Sequence, residues 1–95
     1  MDNIIYNILL SKSRREVFKY LYTCDTDITG RELGRRIGFS HQQVHNALRQ
    51  LISFGIVERR IFGPAHLFRL NRQNQLTAEL HRRQGTLMID HAGEI

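Results

Sequence analysis

The sequence contains few of the residues on which several protein classes depend. It has one cysteine, Cys24, one proline and no tryptophan in 95 residues. A single cysteine excludes an intramolecular disulfide framework and a multi-cysteine zinc cluster. Its neighbours Val17, Tyr20 and Leu21 predict a buried, unreactive thiol. The sequence also has no apolar run near the roughly 20 residues of a membrane-crossing helix and no secretory signal pattern. We therefore expect one cytoplasmic domain.

Carboxylates are scarce in the middle of the chain. Between Arg31 and Arg72 there are eight arginines and two acids, a local net charge of +6, although the whole chain carries only +5. Arginine is suited to paired contacts with phosphates and guanine. Charge concentrated in one region is typical of nucleic-acid binding. A membrane-surface role is disfavoured, because the basic residues are not gathered on one amphipathic helix.

Two capping boxes follow each other closely in this basic region. Thr29 is followed three residues later by Glu32, and Ser40 by Gln43. In each pair the two side chains satisfy backbone N–H groups that the first helical turn leaves unpaired. Gly38 lies between the boxes, where a helix would need a left-handed residue at its end. The spacing predicts two helices joined by a tight turn, which is a helix-turn-helix.

The predicted helices run from Gly30 to Ile37 and from His41 to Phe54, and Gly55 closes the second. One face of the second helix is apolar at helical spacing: Val44, Ala47, Leu48, Leu51 and Ile52. The other face carries side chains that donate or accept paired hydrogen bonds, as base edges in a major groove require: His41, Gln42, His45, Asn46 and Arg49. An ordinary solvated helix face is the alternative interpretation.

Two further helices are predicted ahead of this motif. Ser13 and Glu16 have the spacing of a third capping box, which predicts a helix from Arg14 to about Thr23. Its inward side chains are expected to be Val17, Tyr20, Leu21 and Cys24. The apolar spacing in residues 2–10 predicts a short N-terminal helix or an extended arm. That segment either packs on a partner subunit or covers the core of its own domain.

After the second helix of the motif, the apolar period changes from helical to alternating. Residues 56–62 and 65–70 predict two β-strands joined by a Gly63-Pro64 turn. Phe68 and Leu70 would face the core. Three side chains on or near the hairpin are suited to backbone phosphates or the minor groove: Arg59, Arg60 and His66. A merely solvated hairpin would also be polar.

The C-terminal part predicts one more helix, from Gln75 to Gln84, with Gly85 as its stop. Thr86 to Ile89 is a short apolar run that has no obvious place in the core. It is suited either to a subunit interface or to the start of a segment that is absent from this chain. Residues 90–95 are predicted to be a frayed tail. We therefore interpret residues 75–89 as a C-terminal extension and a candidate dimerisation element.

Three helices followed by a hairpin make a winged helix-turn-helix, so the predicted fold is mainly α with a small β wing and an extra C-terminal helix. Residues 11–72 of this single domain, 1–95, resemble the bacterial and archaeal ArsR/MarR-like winged-helix regulators. The likeness lies in the first helix of the helix-turn-helix, in the buried side of its second helix and in the start of the wing. The residues are Arg31-Glu32-Leu33, Ile37, Val44, Leu48, Leu51 and Gly55-Ile56-Val57.

A closer likeness is to winged-helix domains that precede a nucleotidyltransferase domain in some prokaryotic proteins. There too the wing ends in an aromatic-Arg-Leu-Asn run, here residues 68–71, followed by a helix. No catalytic domain follows in this chain, which predicts a stand-alone relative.

The resemblance implies a prokaryotic transcriptional regulator that binds double-stranded DNA as a homodimer, with half-sites about 34 Å apart. The residues expected to contact bases are Ser40, His41, Gln42, Gln43, His45, Asn46 and Arg49. Those expected on the DNA backbone or in the wing are Thr29, Arg31, Arg35, Arg36, Arg59, Arg60 and His66.

Metal and catalytic sites are not predicted. His41 and His45 are four residues apart, a spacing that can place two imidazoles on one metal, but no acid or cysteine nearby supplies a third ligand. The cysteine pair of some ArsR-like metal sensors is missing. His81, Asp90 and His91 could form a distal site in a dimer, although nothing fixes their geometry. No phosphate-binding glycine-rich loop or nucleophile with an ordered base is present, so we expect neither an enzyme nor a cofactor.

Two alternatives to a DNA-binding regulator stay open. One is a protein-interaction winged-helix adaptor, which would not need an arginine-rich helix and wing. The other is a regulatory domain that works with a separate nucleotidyltransferase.

Overall fold

The computed structural model describes the backbone of residues 2–24 and 26–93 and the side chains of residues 3–24 and 26–84. Its helices and strands are, in chain order, α1 (Asp2–Leu10), α2 (Lys12–Thr23), β1 (Ile28–Thr29), α3 (Gly30–Ile37), α4 (His41–Ser53), β2 (Val57–Phe62), β3 (Ala65–Leu70) and α5 (Gln75–Gly93). Five helices and a small antiparallel sheet confirm the predicted fold class. In the part of the chain that the structure describes, no helix is long and apolar enough to cross a membrane.

The sheet contains a strand that the sequence did not reveal. The strand order is β1-β3-β2, so β3 lies in the middle. The predicted hairpin is confirmed, with Val57 opposite Leu70 at one end and Phe62 opposite Ala65 at the other. Strand β1 pairs with β3 through Ile28, which lies opposite Phe68. Two residues are too short for an alternating pattern, and their pairing depends on a strand some 40 residues away along the chain.

The core lies between the helices and the inner face of the sheet. Phe18 of α2 is fully buried, although the sequence did not single it out. Tyr20 and Cys24, which were predicted to point inward, are only half-buried. The Cys24 thiol donates a hydrogen bond to the carbonyl oxygen of Thr26, 3.1 Å away. It is therefore not enclosed by apolar side chains, contrary to the prediction. Phe68 and Leu70 face the core as predicted.

Segment 2–10 is a helix, α1, and it covers the core of its own domain. Ile5 and Ile8 are buried, with 3% and 0% of their surface exposed. On the outer side of α1, Tyr6 and Leu10 remain 66% and 73% exposed. Packing of α1 on a partner subunit stays a prediction.

The N-terminus of α2 differs from the prediction. The helix begins at Lys12, and its cap is Ser11, whose hydroxyl accepts a hydrogen bond from the backbone N–H of Arg14 at 3.3 Å. Ser13 therefore lies inside the first turn, where its hydroxyl is 3.0 Å from that of Ser11. The predicted capping box at Ser13 and Glu16 is wrong, because two serines two residues apart both precede plausible helical sequence.

The helix-turn-helix follows the prediction closely. Gly38 ends α3 with a left-handed φ of 77°, as expected for a C-terminal glycine. A Cβ on Gly34 would lie 3.2 Å from the carbonyl oxygen of Phe39 and 3.4 Å from Val44, so this glycine permits close packing of α3 against the turn and α4. A Cβ on Gly30 would meet only ordinary contacts, at 3.7 Å or more.

Helix α5 does not stop at Gly85 but continues to Gly93. Leu80 is fully buried, and the side-chain amide of Gln84 donates to the carbonyl oxygen of Arg15 at 3.1 Å, which fixes α5 against α2. A single glycine costs a helix only about 1 kcal/mol, which neighbouring packing readily offsets. The predicted tail is therefore helical at residues 90–93, whereas Glu94 and Ile95 lie outside the described residues. The side chains of the apolar run 86–89 do as well.

Candidate nucleic-acid interface

Helix α4 has the two faces that the sequence predicted. Val44, Ala47, Leu48 and Leu51 are buried, and Ile52 is half-buried. The side chains proposed for base contact are all exposed: Ser40, His41, Gln42, Gln43, His45, Asn46 and Arg49. The packing thus leaves the polar face of α4 accessible, and contact with DNA stays a prediction for each of these residues.

Ser40 and Gln43 are engaged in holding the start of α4. The Ser40 hydroxyl accepts from the backbone N–H of Gln43 at 3.2 Å, and the Gln43 side-chain oxygen accepts from the N–H of Ser40 at 3.0 Å. This is the complete capping box expected from the spacing. Both side chains therefore position the helix that presents the polar face.

Thr29 has a similar role at the start of α3. Its hydroxyl accepts from the backbone N–H of Glu32 at 3.2 Å, which is half of the predicted capping box. The carboxylate of Glu32 instead lies against two arginines one turn further on, at 3.3 Å from Arg35 and 2.8 Å from Arg36. These ion pairs lower the pKa of Glu32, chiefly through the hydrogen bond from Arg36, and raise the pKa of Arg36.

A groove of about 310 Å³ runs between α4 and the wing, the β2–β3 hairpin. Six predicted site residues line it, from α3, α4, β2 and β3: Arg31, His41, His45, Arg49, Arg59 and His66. Its other lining residues are Gly30 and apolar core side chains: Val44, Leu48, Ile52 and Phe68. No carboxylate is among these lining residues. The fold thus brings together basic side chains that are up to 35 positions apart in sequence. We call this feature the α4–wing groove.

The strand register explains why the wing residues face α4. Arg59 lies opposite Phe68, and Ile61 lies opposite His66. Directly opposed residues of an antiparallel pair project from the same face of the sheet. Because Phe68 is buried against the helices, Arg59 and His66 share the face that looks toward α4.

Arg60 projects from the opposite face of the wing and is already paired. Its guanidinium lies 3.2 Å from the carboxylate of Asp27. Arg35 and Arg36 are likewise paired with Glu32, yet all three arginines remain about half-exposed or more. Exposed ion pairs contribute only ~0–1 kcal/mol, so a phosphate group can compete with the carboxylate.

A second concavity of about 630 Å³ borders the other flank of α4. Asn46, Arg49 and two further polar side chains of α4 line one side, and Arg14 with two serines from the start of α2 lines the other. The Arg14 guanidinium donates to the Asn7 side chain at 2.7 Å. The sequence analysis assigned Asn46 and Arg49 a role but not Arg14 or the two serines, for which the only signal was the basic run at the start of α2. Along the exposed helix itself, Gln42 donates to Asn46 at 3.1 Å.

The two histidines of α4 lie next to each other on its exposed face. The rings of His41 and His45 stack with centroids 6.2 Å apart. Among the described residues, no group of three or more His, Cys, Asp or Glu side chains is placed to hold a metal ion. His81 stacks on Tyr22 with ring centroids 3.7 Å apart, so it packs α5 against α2. The side chains of Asp90 and His91 lie outside the described residues.

No family model matches the chain, and no curated protein matches it. Solved structures do. A homodimeric winged helix-turn-helix DNA-binding domain from Mycobacterium bovis, a possible ArsR-family transcriptional regulator, has a TM-score of 0.71 at 18% identity, covering 94% of this chain and 79% of that one. The antimony-specific transcriptional repressor AntR has a TM-score of 0.73 at 18% identity, covering 97% and 79%.

A mutant of MepR from S. aureus, solved bound to an oligodeoxyribonucleotide, has a TM-score of 0.70 at 14% identity, covering 98% of this chain and 70% of that one. Part of an enzyme is also similar: human N-acetylserotonin methyltransferase matches 74% of this chain over 19% of its own length, with a TM-score of 0.58 at 11% identity. At sequence identities this low, the structural likeness shows the fold alone. The chain has the winged helix-turn-helix fold found in ArsR- and MarR-family regulator structures.

Proposed function

We propose that this protein is a sequence-specific, double-stranded DNA-binding transcriptional regulator that acts as a homodimer in the prokaryotic cytoplasm. The α4–wing groove carries this proposal, because its polar lining consists of three arginines and three histidines without a carboxylate. Such a surface attracts the phosphates of a polyanion along the whole groove, since no lining side chain repels them. The similar fold of a MepR mutant, solved with an oligodeoxyribonucleotide, supports the same conclusion.

Base recognition falls to the exposed face of α4. A helix fits into the major groove of B-DNA, which is about 12 Å wide, and its first turns usually make the base contacts. His41, Gln42 and His45 lie in the first turns of α4, and Arg49 follows one turn later. Arg49 has the side chain best suited to guanine, whereas Gln42 suits adenine.

Phosphate contacts fall to the arginines around that helix. Arg31 and Arg59 border the α4–wing groove from opposite elements, α3 and β2. Arg35, Arg36 and Arg60 lie farther out and can exchange their carboxylate partners for phosphates. These contacts fix the register of the helix without reading sequence. They predict an affinity that falls steeply with salt.

The homodimer is proposed by analogy with the M. bovis domain, whose structure is described as homodimeric. A two-fold dimer would present two α4 helices to a pseudo-palindromic site. A DNA-binding regulator of this kind needs neither a catalytic centre nor a cofactor. Partnership with a nucleotidyltransferase stays a prediction from the sequence likeness in residues 68–71 and the helix that follows.

The test is fluorescence anisotropy with labelled duplexes, after selection from a randomised duplex pool, repeated across a salt series. We expect enrichment of a palindrome and a steep negative salt slope. The variant Arg59→Ala should bind more weakly and reduce that slope by about one. Lys19→Ala is the charge-matched control, because Lys19 is exposed on α2 and lines neither concavity beside α4.

Three other results would contradict the proposal in different ways. Salt-sensitive binding without enrichment would indicate a non-specific or architectural DNA-binding protein. Equal losses in Arg59→Ala and Lys19→Ala would show that net charge, and not the α4–wing groove, drives binding. Absence of binding at low salt would leave the protein-interaction adaptor as the better description.

A further inference from the structure

The tip of the wing exposes two adjacent large apolar side chains. Ile61 and Phe62 at the end of β2 are 62% and 64% exposed. Residues 59–62 of β2 are all exposed, so the core does not cover either side chain. Single exposed apolar residues are common and need no explanation. Two adjacent ones at the end of a hairpin, next to two arginines, form an exposed apolar patch that does call for an explanation.

The backbone at the tip is narrow. Gly63 and Pro64 form a two-residue loop between the paired residues Phe62 and Ala65. Gly63 has a φ of 57°, as the first position of a type II′ hairpin turn requires. Neither loop residue has a long side chain. The side chains that project farthest at the tip are therefore those of Ile61, on the face toward α4, and Phe62, on the other face.

The charge around the tip matches DNA. Arg59 and Arg60 directly precede the apolar pair, and the Arg60 guanidinium carbon lies 6.0 Å from the centre of the Phe62 ring. The only carboxylate on the two strands, Glu58, is already bonded to Arg69 at 3.0 Å. Apolar side chains flanked by arginines are suited to DNA, which has phosphates on its outside and stacked, apolar bases inside.

We infer that Ile61 and Phe62 form a wedge that enters the minor groove of the bound DNA and partly unstacks one base step. This inference rests on the proposed function. Ile61 shares its sheet face with Arg59 and His66, which line the α4–wing groove. With α4 in the major groove, the wing tip reaches the adjacent minor groove. That groove is about 6 Å wide and too narrow for a hairpin, but it admits side chains from a tip.

Such a wedge has two consequences for the DNA. Inserted apolar side chains kink the duplex toward the major groove, which would bend it around the domain. Pyrimidine–purine steps such as TA and CA unstack most readily. The selected site should therefore carry one of these steps at a fixed distance from the bases that α4 contacts, although no hydrogen bond reads it.

The test uses the selected duplex with 2-aminopurine placed in turn at each step of the flanking minor groove, and with a donor–acceptor dye pair at its ends. Binding of the wild-type protein should raise 2-aminopurine fluorescence at one step and shorten the distance between the ends. Phe62→Ala should abolish both changes and weaken binding about tenfold, because stacking on an aromatic ring is lost. Phe62→Leu, which keeps an apolar wedge, should restore most of the bend.

Lys19→Ala is the control, since Lys19 is exposed on α2 and lines neither concavity beside α4. It should leave fluorescence and bend unchanged. Specific binding by the wild type without a fluorescence rise or bend would overturn the wedge and leave the proposed function standing. Absence of DNA binding would overturn both. An unchanged bend in the Ile61→Ala/Phe62→Ala double variant, with a change in its oligomeric state, would instead assign the tip to a protein contact.

Discussion

The guanidinium of Arg60 on β2 lies 3.2 Å from the carboxylate of Asp27, which precedes β1. The two residues are 33 positions apart and at opposite edges of the sheet, so this ion pair spans the central strand. It connects the wing to the segment that leads into the helix-turn-helix. It also means that a phosphate would compete with this carboxylate for the Arg60 guanidinium.

Asp27→Asn should therefore strengthen DNA binding. Without the carboxylate, Arg60 is released to phosphates, and affinity for any duplex should rise by up to about fivefold, the equivalent of a surface ion pair. The salt slope should become steeper. Anisotropy with specific and random duplexes measures both. The double variant Asp27→Asn/Arg60→Ala should lose the gain, and a persistent gain would show that the added net charge alone is responsible.

Arg49→Ala and Gln42→Ala should reduce binding to the selected site by ~1–3 kcal/mol and leave random DNA nearly unaffected. Both side chains are exposed on the face of α4 that is proposed to read bases. Gln42 also bonds to Asn46 at 3.1 Å, so its removal frees a neighbouring amide and should alter the preferred base. Competition titrations with single-base variants of the site detect this change. Similar losses on random DNA would reassign these residues to the backbone.

Ser11→Ala should destabilise the protein by about 1 kcal/mol, because Ser11 caps α2. Ser13→Ala should cost clearly less, since its hydroxyl bonds to Ser11 and not to the helix backbone. Urea denaturation followed by circular dichroism measures both free energies of unfolding. A larger loss at Ser13 would return the cap to the position that the sequence pattern suggested.

Gly34→Ala should be less stable than Gly30→Ala, although alanine is the better helix former at both positions by about 1 kcal/mol. A Cβ at position 34 approaches the Phe39 carbonyl oxygen to 3.2 Å, whereas at position 30 the nearest atom is 3.7 Å away. The first contact would push the turn away from α3. Thermal unfolding of the pair tests this order, and Gly34→Val should show the same effect more strongly.

Glu32 should contribute to stability only above acidic pH. Its pKa in the folded protein is below the ordinary value of 4.5, mainly because Arg36 donates a hydrogen bond to it. A carboxylate with a lowered pKa stabilises the fold above its unfolded pKa, and this contribution is lost as the pH falls through the folded pKa. The difference between wild type and Glu32→Gln should be present at pH 7 and disappear well below pH 4.5. Denaturation across this range measures it, and a constant difference would mean that the ion pairs are unimportant.

Much of the architecture was predictable because its signals are local. The bounds of α3, the Gly38 exit and the Ser40–Gln43 capping box depend on residues within a few positions of each other. The hairpin was recognisable from its alternating period and its Gly63-Pro64 turn. The two faces of α4 followed from helical spacing alone.

Other features were not predictable because they depend on contacts between distant segments. Strand β1 exists only because Ile28 meets Phe68. Helix α5 continues past Gly85. The turn before this glycine is held by the burial of Leu80 in the core and by the hydrogen bond from Gln84 to Arg15. Neither contact can be recognised from the neighbouring residues in the sequence. The choice of Ser11 over Ser13 as a cap was ambiguous for a related reason, since both serines satisfy the local rule.

By itself, the sequence determined the helix-turn-helix, the wing and the excess of arginine between residues 31 and 72, because capping, periodicity and charge are written in neighbouring residues. Only the tertiary structure decided which of those arginines face α4 and which are paired with carboxylates. Strand register placed Arg59 and His66 beside the polar face of α4, and it turned Arg60 toward Asp27. Pairing across a sheet joins residues far apart in the chain, and a one-residue shift would have exchanged those two faces.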